Sequence, residues 1–223
     1  MRLSIVVAVA LIAGGLSAIA QAQPSMTAAQ AAAIARAINL STGDMPGYTS
    51  SPHATDAEAR RAQARMFRCA GAVPRSRALA DLNSQDFQKA GQGSAEPGLS
   101  VVTSHVTVMR SAAVARRDMR AMASARGRAC EARYGAPSDP DIKVLDTSLK
   151  TLPVPTSGGY GLRFKIHQRL NGKRMTLIAD ALVFRRGPVE VQLGTLSTAH
   201  SFSPAEERRL IALLATRAEQ QVP

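Results

Sequence analysis

The side chains able to do chemistry in this chain are few and far apart. Its four histidines, His53, His105, His167 and His200, stand singly, with no H-E-x-x-H and no Cys/His group at zinc spacing. A structural metal is therefore not expected. Neither is a bound cofactor, because Gly158-Gly159-Tyr160-Gly161 lacks the following helix that a phosphate-cradling loop needs. No G-x-S-x-G elbow occurs to present a serine nucleophile. His105 and His167 sit in strand-like stretches, where a lone imidazole is far more often a surface residue than a base. Either becomes a general base only in a concave site that brings a carboxylate within hydrogen-bond reach.

That leaves Cys69 and Cys130, whose chemistry depends on compartment. Met1-Arg2 is a positive start, Ile5 to Leu16 an uncharged apolar run and Ala20-Gln21-Ala22 a small-x-small cleavage site, the three parts of an export signal over residues 1–22. The alternative is a retained anchor, since Leu3 to Ala20 approaches the roughly 20 residues that span a bilayer. Gly14, Gly15 and Ser17 interrupt the run and favour cleavage after Ala22. A secreted or envelope-exposed chain lies in an oxidising compartment, where two cysteines pair. A Cys69–Cys130 disulfide would close 61 positions of chain, for which loop entropy gives about 4 kcal/mol. This separation is unlike C-x-x-C, so a reactive thiol pair is not expected.

The remaining pattern predicts the elements that carry these residues. Residues 23–53 read as a lead-in: Thr27 and Gln30 form a capping box ahead of Ala-rich 28–38, and Ser41-Thr42-Gly43-Asp44-Met45-Pro46-Gly47 ends it. The main domain is expected over residues 54–223. Thr55 and Glu58 repeat the capping pattern for a helix from about Asp56 to Cys69. Asp86 to Lys89 reads as a short strand. Leu99 to Met109 reads as a longer one, with Val102, Val106 and Val108 on one face and Thr103, His105 and Thr107 on the other. Ser111 caps a single helix to about Tyr134, stopped by Gly135 and Pro137. On it Cys130 shares a face with Met119 and Met122, so the bridge is expected to be buried and to pin the two helices together. Strands follow at Ile142 to Leu149, from Tyr160, at Lys173 to Phe184 and at Val189 to Leu196. Ser203-Pro204-Ala205-Glu206 then opens a last helix with Leu210, Leu213 and Leu214 inward. Strands gathered late between helices predict an α+β fold: an antiparallel sheet ending in a β-meander, with helices packed on it and one disulfide.

Asn171-Gly172 is a two-residue hairpin turn, and such a turn sets a register in which Arg163 faces Asp180, Lys165 faces Ile178 and His167 faces Thr176. One hairpin face, from Tyr160, Leu162, Phe164 and Ile166 to Leu177, Ala179, Ala181 and Val183, is expected to be core. The other sets Arg163, Lys165 and His167 against Ile178, Asp180, Leu182 and Phe184. An even loop at Gly187-Pro188 adds Val189, Val191 and Leu193 to this second face, making an apolar patch bordered by cations. A cleft for an amphipathic anionic ligand has that form, and these seven hairpin residues are the candidate ligand site. The plain alternative is a helix covering the apolar end while the basic end sits in water.

The formal charge is +12, and arginine supplies 23 of the 28 cations. They are spread along the chain, and with five Phe, three Tyr and no Trp there is no interleaving of cations with aromatics. Nucleic acid is therefore not an expected partner. For an exported protein, anionic lipid or wall polymer is the natural counter-charge, through at most peripheral membrane contact, and nothing in the pattern specifies an oligomer.

Leu40-Ser41-Thr42-Gly43-Asp44-Met45-Pro46-Gly47-Tyr48, Met66-Phe67-Arg68-Cys69-Ala70, Ser104-His105-Val106-Thr107-Val108-Met109 and Phe184-Arg185-Arg186-Gly187-Pro188-Val189-Glu190-Val191 together resemble small exported actinobacterial proteins. In particular they resemble the extracytoplasmic sensor-like domains found on bacterial Ser/Thr kinases and in related envelope proteins. The resemblance runs over residues 38–220 and implies an α+β fold with a cleft and no catalysis. It departs in one respect: such domains often carry two disulfides, and this chain can make one. The expected function is a non-catalytic envelope domain binding a small amphipathic or anionic ligand. The alternatives are a structural or interaction protein held electrostatically to wall polymer or lipid, and a hydrolase with an unrecognised site.

Overall fold

Eight strands form one antiparallel sheet in the computed structural model of the chain, which describes residues 26–54, 57–90, 99–134, 143–152, 154, 159–170, 173–198 and 202–222. They are β1 (Thr49–Ser51), β2 (Ala80–Asn83), β3 (Asp86–Ala90), β4 (Leu99–Val108), β5 (Lys143–Leu152), β6 (Tyr160–Leu170), β7 (Lys173–Arg186) and β8 (Val189–Thr198). The order across the sheet is β1-β3-β4-β8-β7-β6-β5, and β2 lies beside β3 on the same edge of β4. Ser84 divides that edge. Its N–H donates to Ser104 O (2.8 Å) and its hydroxyl accepts from Ser104 N (2.9 Å), so β2 pairs with one half of β4 and β3 with the other. β1 and β2 are too short to show a period of two, which is why the sequence pattern does not reveal them.

The β6–β7 register is the one a two-residue turn requires, with Arg163 opposite Asp180, Lys165 opposite Ile178 and His167 opposite Thr176. Asn171 and Gly172 themselves lie outside the described residues, as do residues 1–25, Thr55 and Asp56. At the next turn Arg186 pairs with Val189, a two-residue loop, so Val189, Val191 and Leu193 do join the face of Leu182 and Phe184. Gly187 there has φ +53, a conformation that glycine adopts at no steric cost.

Helices cover both faces of the sheet. On one side lie α1 (Ala28–Ile38) and α5 (Pro204–Gln221). Thr27 and Gln30 close a reciprocal capping box on α1, with Thr27 N–H donating to Gln30 Oε1 (2.9 Å) and Gln30 N–H to Thr27 Oγ1 (3.2 Å). This lead-in helix is built into the main core: Ala31, Ala35 and Ile38 pack with Leu210, Ile211 and Leu214 of α5 on Val102, Val106, Val108, Leu182, Phe184, Val189, Val191 and Leu193. On the other side lie α2 (Ala57–Ala70), α3 (Ala112–Ala123) and α4 (Ala125–Tyr134). The Cys69–Cys130 disulfide joins α2 to α4 with Cα atoms 5.8 Å apart, and Phe67, Ala70 and Met122 pack around the buried Cys130.

The single helix expected from Ser111 to Tyr134 is two helices. Ser124 steps to extended backbone (ψ 162), and its hydroxyl both donates to Ala121 O (2.7 Å), ending α3, and accepts from Gly127 N–H (3.0 Å), starting α4. Periodicity could not show this break, because a serine inside an amphipathic run reads equally as helix or cap. Gly127 makes the bend possible. A Cβ at this position would run into the carbonyl oxygens of Ala121 and Met122. Gly127→Ala should therefore cost about 1–3 kcal/mol in urea unfolding, the range for forced overpacking. Gly43→Ala, where the nearest atom is 3.9 Å away, should leave the midpoint within about 0.5 kcal/mol, the usual range for a neutral surface change.

Candidate functional site

Both faces of β4, β8 and β7 carry apolar residues, and α1 and α5 seal only one. On the other, α2 and α4 leave a cavity of about 350 Å³ above the sheet. Its apolar walls are Ala59, Ala62, Met66 and Phe67 of α2, Met122 of α3, and Leu162, Ala181 and Val183 of the sheet. Its polar groups are Gln63, Arg75, His105, Glu131, Tyr134, Tyr160 and Gln192. The space continues over Ala179, Ala181, Gly194 and Leu196 as a shallower groove of about 280 Å³. Gly194 keeps this floor low, since a methyl group there would stand 3.1 Å from Thr103 Cγ2.

Arg75, in the short turn between α2 and β2, anchors the polar end. Its Nη1 donates to Glu190 Oε2 (2.8 Å) and Asp118 Oδ2 (3.2 Å), and its guanidinium stacks 4.4 Å from the Phe67 ring centroid. Asp118 Oδ1 also accepts from Val73 N–H (2.5 Å). One cation thus ties the loop at 72–77 to α3, β8 and α2. Arg75 Nε and Glu190 Oε1 find no hydrogen-bond partner among the described residues. Burial and the neighbouring Asp118 raise the Glu190 carboxyl to about 8, against the attraction of Arg75. Burial likewise raises Glu131 to about 7, again with Arg75 opposing, and holds the Tyr160 phenol well above its ordinary range.

His105 reaches across from β4 to β2, its Nε2 2.8 Å from Asp81 Oδ1, which also accepts from Thr107 Oγ1 (2.7 Å). Burial works to raise the Asp81 carboxyl, but His105, Thr107 and Arg75 outweigh it and hold it below its usual value.

The seven hairpin residues singled out from the sequence share the opposite face, as the register requires, and the structure distributes them between core and rim. Leu182 and Phe184 lie beneath α1 and α5, each 2% exposed. Ile178 is half-buried. Asp180 is buried and held by Arg163 through two bonds, Nε to Oδ1 (2.7 Å) and Nη2 to Oδ2 (2.5 Å), so the expected cross-strand facing of the two residues is a bidentate ion pair on a buried carboxylate. Lys165 is exposed, and His167 Nδ1 sits 3.0 Å from Thr176 Oγ1. The apolar half of that patch is the floor of the main core, whereas the hairpin face read as core does bury Leu162, Phe164, Ile166 and Leu177 in a second cluster and also borders the open space. Alternation groups residues by face without revealing which face the helices seal. Arg75 and Glu131 carried no signal of their own, one being a loop residue and the other a lone acid on an arginine-rich helix. Only the expected Cys69–Cys130 bridge, next to Glu131, pointed near them.

No family model and no curated protein matches the chain. Among solved structures it is similar to the extracellular domain of PknH from Mycobacterium tuberculosis (TM-score 0.45, 8% identity, 88% of this chain and 98% of that one). It is also similar to LpqN, involved in cell envelope biogenesis of M. tuberculosis (TM-score 0.31, 13% identity, 78% and 77%).

Folded Glu190 keeps its proton up to about pH 8, whereas the ordinary value of the group is 4.5. The fold therefore binds the extra proton, and this contribution is fully present below pH 4.5 and is lost as the pH rises through 8. Thermal unfolding should show the midpoint falling over that window, and Glu190→Gln should make the fall shallower. An unchanged slope in the variant would count against this assignment.

Proposed function

We propose that this protein is an exported, non-catalytic domain that holds a small amphiphile in the cleft between α2, α4 and the sheet. One observation carries the reading: a cavity of about 350 Å³ combines apolar walls from α2 and the sheet with a few polar groups, Arg75, His105, Glu131 and Gln192 among them. Ligand pockets have this composition, an apolar body with a few convergent polar groups. Export is supported by the signal-like residues 1–22 and by the paired cysteines, which suit an oxidising compartment. The preferred head group is uncharged, such as a hydroxyl or amide. Arg75 already has its charge balanced by Asp118 and a donor bond spent on Glu190, and an anion would also face Glu131. The sequence-based expectation of an amphipathic or anionic ligand is thereby narrowed to the amphipathic one.

A second reading has an observation of its own. His105 lines the cleft with a carboxylate oriented on its Nε2, the geometry of a general base that takes a proton from a cleft-bound water. Turnover of p-nitrophenyl acyl esters that is lost in His105→Gln would support it. Absence of turnover, or turnover unchanged in the variant, would remove it.

The chain has no tryptophan, so a neutral reporter such as N-phenylnaphthylamine can be followed cleanly as it binds and is displaced by a monoacylglycerol. Saturable binding is expected, weakened about tenfold or more by Ala62→Phe, which fills the cleft at a cost of roughly 1.4 kcal/mol per decade, and unchanged by Lys165→Ala on the opposite face. A bound apolar chain desolvates Glu131 further, so binding takes up a proton and should tighten as the pH falls through about 7. Glu131→Gln should abolish that pH dependence. Wild-type-like binding by Ala62→Phe would place the ligand elsewhere.

A further inference from the structure

The basic charge that the sequence shows as diffuse is concentrated in one layer. The helices α2, α3 and α4 carry ten arginines against three acids, of which Asp118 is buried and Glu131 lines the cleft. The layer on the other side of the sheet, α1 and α5, carries four arginines against three acids. On α2, Arg61, Arg65 and Arg68 are spaced i, i+4, i+7 and form one exposed stripe, and Arg116 and Arg120 repeat the spacing on α3. None of these five pairs with an acid among the described residues. Two others are employed locally, Arg126 Nε on Cys69 O (2.5 Å) at the end of α2 and Arg128 Nη1 on Ala123 O (2.6 Å) at the end of α3.

We propose that the outer surface of α2 and α3 docks the protein on an anionic lipid bilayer. The charge sits on exposed turns of two helices of one layer, a broad distribution that suits a headgroup surface better than a single polymer strand. The single exposed large apolar residue among those described is Leu99, away from this layer at the start of β4. The contact is therefore electrostatic and peripheral, without an inserted wedge, and falls away with salt. The cleft opens within the same layer, since Ala62 and Met66 of α2 and Tyr134 of α4 line it. Docking would thus bring the cleft to the surface where amphiphiles are concentrated, although the charge asymmetry stands whether or not the cleft is occupied.

The test is co-sedimentation of the protein with phosphatidylcholine vesicles, with and without phosphatidylglycerol, from about 0.05 to about 0.5 M salt. Binding is expected only with phosphatidylglycerol, lost at the high-salt end, and lowered about a hundredfold or more by Arg61→Glu/Arg65→Glu/Arg68→Glu. Arg36→Glu/Arg208→Glu, on the opposite layer, should change it less than about twofold, as a surface outside the contact zone does. If the triple variant loses its circular dichroism spectrum, Arg116→Gln/Arg120→Gln provides the same comparison at smaller charge change. Equal binding to both vesicle types, equal loss in the opposite-layer variant, or capture by soluble polyphosphate with no vesicle binding would each overturn the proposal.

Discussion

The pairing of β4 with β8 over nine residue pairs, from Ser100 opposite Ser197 to Val108 opposite Val189, is the constraint on which the rest of the structure depends. It joins the two halves of the chain at the centre of one sheet, and that sheet carries apolar side chains on both faces. Neither face can be left to water. Val102, Val106 and Val108 with Val189, Val191 and Leu193 bury against α1 and α5, while Leu162, Phe164 and Ile166 on the reverse form a second cluster. The first face is sealed by two helices that fit it. The second is roofed by three helices, two of them tied by a disulfide, and the roof is incomplete.

Covering the second face also buries charge. Asp118 and Glu190 are 1% and 4% exposed and meet the single guanidinium of Arg75. Removing two carboxyls from water costs several kcal/mol per ion unless they are paired, and one cation cannot fully satisfy two. The proton retained on Glu190 near neutrality, and the orphaned Glu190 Oε1 and Arg75 Nε, are the residue of that imbalance. Arg75 also stacks on Phe67, two residues before Cys69, so the network and the Cys69–Cys130 bridge brace the same helix from two sides.

Much of this fold is legible in local signals because local physics creates it. The Thr27/Gln30 box, the Ser203 cap with Pro204 and the alternation in β4, β6 and β7 each depend on a few neighbouring residues, and each reappears in the structure. The break at Ser124 leaves no such signal because its cause is a side chain choosing between two backbones and a glycine needed for a close approach. The strands β1 and β2 are not legible because three or four residues hold too little pattern.

By itself the sequence determined which residues share a face, which turns set the register, that the two cysteines could bridge distant helices, and that the chain is basic. All follow from spacing along one chain. Tertiary structure alone decided which sheet face is sealed and which stays open, that Asp180 is buried beneath Arg163, that Arg75 meets Asp118 and Glu190, and that ten arginines gather on one helical layer. Those outcomes depend on how helices far apart in sequence pack on a common sheet, and no period along the chain encodes that arrangement.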